Sequence, residues 1–147
     1  MLNLHANVYA EPSQPELGAG LTLRGVSVRP LRGEGSGPPR LDRTMPVTFE
    51  AMQEQLKTLP RLDCEPDGFF LLTGHEAGEF WRLNGHMHEH AGRMHRVELN
   101  GQCPTASLET VLGTMGWPEA KLVFELVQEG VTLSEEDFRR WAAADQS

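Results

Sequence analysis

EFWRLNGHMHEHAGRMHRVELNG, residues 79–101, holds two alternating apolar runs separated by a turn. Trp81, Leu83 and Met87 share one parity in the first run, and Val97 and Leu99 share one parity in the second. A period of two places such residues on one face of a strand. EHAG (89–92) between the runs suits a tight turn, so the pair reads as an antiparallel hairpin. Upstream, EPDGFFLLTG (65–74) is a turn signal followed by a β-prone apolar run, and HEAG (75–78) leads from it into residue 79. The three runs together predict an antiparallel meander.

Helices flank this meander. Thr48 suits a helix N-cap, and Phe49, Met52, Leu56 and Leu59 follow at spacings of 3, 4 and 3 until Pro60 stops the run. Thr105 or Ser107 opens a second helix carrying Leu108, Val111, Leu112 and Met115, with Gly116 as its C-cap. KLVFELVQEG (121–130) favours a strand by its β-branched and aromatic residues, although its length also allows a helical turn. Ser134 then caps a third helix, with Asp137 at the capping-box position and Phe138, Trp141 and Ala142 on its apolar stripe. The order predicts an α+β domain over residues 45–147: a small antiparallel sheet of three to four strands packed by about three helices.

Residues 1–44 read differently. They contain six Gly and five Pro but no Phe, Trp or Lys, and segments such as EPSQPELGAG and RGEGSGPPR offer little apolar area to offset chain entropy. The expectation is a mostly disordered, flexible Gly/Pro-rich tail. LTLRGVSV (21–28) is its one short strand, with Gly25 shifting the phase as a bulge. Met45 begins a stretch that looks like a natural start, so a mis-assigned start codon competes with an ordinary tail as the reading of 1–44. Asn3, His5 and Asn7 break any apolar core of a signal peptide. With no targeting segment and only two cysteines in 147 residues, a cytoplasmic protein with reduced thiols is expected.

Charge bounds the function. The chain has 13 Lys+Arg and 21 Asp+Glu, a formal net charge of -8. The first 44 residues carry five basic and four acidic groups, so the remaining 103 hold a net of -9. An acidic chain does not release counterions from a phosphate backbone, which counts against nucleic acid. No apolar run approaches the roughly 20 residues of a membrane span. The acids Glu76, Glu79, Glu119, Glu125, Glu129, Glu135, Glu136 and Asp137 can steer a basic protein partner.

Two kinds of chemistry are open to particular residues. His86, His88 and His90 lie at strand spacing, and outward-facing imidazoles there can hold zinc or another divalent transition metal, with His95, Glu98 and His75 as further ligands. Parity opposes convergence, because His95 shares the inward parity of Val97 and Leu99. Cys103, ahead of Pro104 at a helix entrance, is a candidate nucleophile alongside Cys64, with His75 or His95 as base. No fingerprint for a nucleotide or another organic cofactor is present. The sequence therefore favours a non-enzymatic interaction domain of a bacterium, of adaptor or toxin-neutralising type, that uses an acidic surface. The alternative is a small metal-binding protein, hydrolytic in the extreme case, built on the His hairpin. The sequence leaves the oligomeric state open.

Overall fold

A computed structural model describes residues 1–144. In chain order the elements are β1 (Leu2–Ala10), β2 (Glu16–Leu17), β3 (Leu21–Leu23), β4 (Val26–Val28), β5 (Leu31–Arg32), a 3-10 turn at Glu34–Ser36, and α1 (Phe49–Lys57). There follow β6 (Leu62–Cys64), β7 (Phe69–Glu76), β8 (Glu79–His90), β9 (Arg93–Cys103), α2 (Thr105–Gly113), β10 (Leu122–Leu126), β11 (Thr132–Ser134) and α3 (Glu135–Ala143). Seven strands form one antiparallel sheet in the order β11-β10-β1-β9-β8-β7-β6. No helix among the described residues is long and apolar enough to cross a membrane.

Two expectations about the fold are overturned. The sheet has seven strands, not three or four, and the N-terminus is no disordered tail. β1 lies inside the sheet, with β9 on one side and β10 on the other. The physical reason is a strict period of two in LNLHANVYA. Leu2, Leu4, Ala6, Val8 and Ala10 are buried, while Asn3, His5, Asn7 and Tyr9 point to the other face. The polar residues that break a signal peptide are the outward half of a strand. Residues 21–28 are likewise a hairpin of two strands rather than one bulged strand. Arg24 and Gly25 both have positive φ, 50° and 73°, and make the two-residue turn between β3 and β4. Ala77-Gly78 and Ala91-Gly92 repeat that backbone pattern at the β7–β8 and β8–β9 turns.

The helices start where their caps lie. Thr48 accepts from the Ala51 amide at 3.1 Å, and Ser134 accepts from the Asp137 amide at 3.3 Å. All three helices contribute buried residues to one core with the sheet: Met52 and Leu56 from α1, Leu108, Val111 and Leu112 from α2, and Phe138, Trp141 and Ala142 from α3. Phe138 stacks on Phe124 of β10 with ring centroids 4.0 Å apart. The β3–β4 hairpin is fastened to α3, since the Arg24 guanidinium lies 3.7 Å over the Trp141 ring and donates to the carbonyls of Asn3 and Trp141.

Candidate functional site

The opposite face of the sheet carries the polar half of every central strand. Asn3, His5, Asn7 and Tyr9 of β1, Asn84, His86 and His88 of β8, and Glu98 of β9 are each half-buried on that side. Strand register brings several together. His86 stands opposite Glu98 and His88 opposite Arg96, while Glu98 and Arg96 stand opposite Asn7 and Tyr9 on their other side. His5 Nε2–H donates to Glu98 at 2.8 Å, and this bond is the main cause holding the Glu98 carboxyl below its ordinary range.

The parity expected for His95 fails at a β-bulge. Pairing runs His88 with Arg96 and then Glu89 with Met94, so His95 is an extra residue on β9. Met94 and Val97 are both buried, and His95 leaves the core side. It packs edge-on against Tyr9 and donates to the Leu41 carbonyl at 2.8 Å.

The three histidines proposed as ligands separate into a pair and an outlier. His86 and His88 lie side by side, with ring centroids 4.5 Å apart. His90 lies beyond the bulge at the exposed end of β8. Among the described residues, no group of three or more His, Cys, Asp or Glu stands close enough to hold a metal ion. His88 titrates below the ordinary imidazole value, first because it is partly desolvated and then because Arg96 and His86 oppose a second positive charge.

That depression has a consequence for stability. Between the folded and unfolded values the unfolded chain binds more protons at His88, so stability falls as pH drops through that interval. Urea midpoints are expected to fall from about pH 7 to about pH 5, with a smaller fall in His88→Gln. Glu98 adds a second decline at lower pH, because its folded-state value is also depressed. A midpoint unchanged over the first interval, or an identical slope in the variant, would contradict this assignment.

His86 and His88 line a depression of about 480 Å3 that also includes Glu50, Asp67 and Glu89. Three elements make it. The first turn of α1 supplies Glu50, the β6–β7 turn supplies Asp67, and the end of β8 supplies the imidazoles and Glu89. Gly68 permits the approach: its φ is +98°, and a Cβ there would lie 3.0 Å from the Phe49 ring and 3.1 Å from Met87. The Gly68 carbonyl accepts from the Met87 amide at 3.0 Å, tying the turn to β8. Asp67 accepts from the Phe69 amide and so keeps its carboxylate at the rim.

Several acids at the C-terminal end are engaged within the molecule. Glu125 accepts from Asn7, Glu135 accepts from Trp117 and Arg139, and Asp137 pairs with Arg140 and accepts from the Arg29 amide. Acids near α1 and β6 have no such pairing: Glu50, Glu54, Asp63, Glu65 and Glu89 are exposed and take part in none of the ion pairs among the described residues. The sequence carries no signal for this depression, because its acids come from three separated segments.

Cys103 is fully buried, and burial pushes its thiol up to about 12 despite its place before α2. A protonated thiol without access is a poor nucleophile. Cys64 is half-buried. Iodoacetamide is therefore expected to modify Cys64 alone in the folded protein and both cysteines in urea, as read by intact mass. Rapid double labelling of the folded chain would contradict this. No protein-family model matches the chain, and comparisons with curated proteins and with solved structures find no match.

Proposed function

We propose that the protein is a non-enzymatic interaction domain that binds a basic protein partner, seating an arginine or lysine side chain in the depression between α1, the β6–β7 turn and β8. The observation that carries this reading is the lining itself: three acidic residues and two histidines border one open hollow. Glu50, Asp67 and Glu89 border the hollow, and the neighbouring exposed acids Glu54, Asp63 and Glu65 extend the field that draws a guanidinium in. His88 stays largely neutral near pH 7 and adds little repulsion. The adaptor and toxin-neutralising types both fit a partner of this charge.

Binding of a fluorescent deca-arginine peptide tests the site. The variant E50Q/D67N/E89Q is expected to weaken binding by about tenfold or more, since hydrogen bonds to charged groups are worth about 1.5–3 kcal/mol each. The control E119Q/E129Q/E136Q removes the same charge elsewhere and is expected to change affinity by about twofold or less, as for exposed charges. Equal losses in the two variants would reduce the effect to net charge and overturn the proposed site.

A second reading, a small metal-binding protein, is favoured by the adjacent rings of His86 and His88 beside the carboxylates of the same hollow. Zinc, or another divalent transition metal, would need a third ligand drawn in from Glu50, Asp67 or Glu89. Zinc titration by calorimetry separates the readings. Saturable binding of one equivalent, lost in H86A/H88A, supports the metal, whereas peptide binding with no zinc uptake supports the interaction domain.

A further inference from the structure

A second cleft, of about 500 Å3, opens on another part of the molecule, where the α1–β6 corner, the β7–β8 hairpin and the start of α2 meet. Leu59, Leu72 and Pro104 give it apolar walls, and Arg61 and Trp81 bring side chains that can only donate. Arg61 lines it and takes part in none of the ion pairs among the described residues. Ser107 brings a hydroxyl. The nine-residue helix α2 begins at its edge with Pro104 as N-cap, a residue without a side-chain acceptor, and no acid stands in its first turn. The Ser107 amide bonds the Pro104 carbonyl at 3.1 Å, and the Thr105 and Ala106 amides ahead of it leave the helix end its partial positive charge.

An independent observation comes from Trp81, which also lines the cleft. It is only 6% exposed, yet its Nε1–H has no hydrogen-bond partner. Buried donors are almost always satisfied, so an orphan on a cleft wall calls for an acceptor. Gly74 shows where the N–H edge lies. A Cβ on Gly74 would come within 2.4 Å of Cζ2 and 3.0 Å of Nε1, so the indole reaches across the glycine, itself a cleft residue. Any larger residue at 74 would displace the indole.

The geometry points to a binding site for a small organic monocarboxylate with an apolar body, its carboxylate held by Arg61, the start of α2 and the Trp81 indole N–H. The volume lies within the range usual for small-ligand pockets, about 300–1,000 Å3. Glu76, the one acid among the lining residues, opposes a second negative charge and favours a monoanion over phosphate. This site shares no residue with the acidic depression, and it stands or falls independently of the interaction reading.

The test is a 1H–15N NMR titration of the full chain with 3-phenylpropionate, 3-phenylpropionamide and inorganic phosphate. The carboxylate is expected to shift the Trp81 indole N–H and the Thr105 and Ala106 amides saturably, with the carboxamide weaker by about tenfold or more. Arg61 is exposed, so Arg61→Gln keeps the fold and is expected to lose about tenfold in affinity for the carboxylate. Trp81→Phe keeps an aromatic ring, and its weaker binding isolates the N–H. Equal shifts from acid and amide, tighter binding of phosphate, or unchanged affinity in Arg61→Gln would overturn the proposal.

Discussion

A chain beginning at Met45 is expected not to fold. It lacks β1, which pairs with β9 from Leu2 to Tyr9 and with β10 from Ala6 to Ala10. Its loss removes five buried side chains from the core and leaves β9 and β10 as two unpaired edges in the middle of the sheet. It also removes the Asn3 carbonyl that holds Arg24, along with the whole β3–β4 hairpin. Far-UV circular dichroism and limited proteolysis of residues 45–147 should report a largely unstructured or aggregated chain. A cooperative unfolding transition in that fragment would contradict the central placement of β1. It would also restore the division of the chain at residue 44.

Trp141→Ala is expected to be the most damaging single substitution on α3, at about 3–5 kcal/mol, as for large aromatic truncations in cores. Trp141 is 1% exposed and packs beside Phe138, which itself stacks on Phe124. Its ring also receives the Arg24 guanidinium from a different part of the chain. Arg24→Ala, which removes that cation–π contact and the hydrogen bonds to the Asn3 and Trp141 carbonyls, should cost about 2–3 kcal/mol. Because the two side chains touch, the double variant should be less destabilised than the sum of the single ones. Chemical denaturation at constant slope measures all three. A Trp141→Ala loss under about 1 kcal/mol would show that this corner is not well packed.

The local signals in the second part of the sequence were legible because each is short-range. Thr48 and Ser134 mark helix starts, and both make the capping bond. HEAG and EHAG mark turns, and both lie at hairpin ends. β1 was equally regular, but its buried side includes Ala6 and Ala10, and its outward side resembles loop sequence. Only its partners β9 and β10, far along the chain, give that alternation a sheet to join. The direction of His95 departs from its strand parity for a different reason. A bulge is a property of two paired strands, and a single strand's parity cannot register it. The acidic depression needed three distant segments to meet, so net charge was readable but its place was not.

The proposed seat for a basic partner is formed by Glu50, Asp67, Glu89, His86 and His88. Its most direct test is a 1H–15N NMR titration of the full chain with unlabelled deca-arginine peptide at about 0.15 M salt, where long-range surface effects are screened within about 8 Å. The predicted result is a saturable set of shifts concentrated on those five residues and the adjoining β6–β7 turn. Shifts spread evenly over the acidic surface, centred on α3, or absent altogether would contradict it.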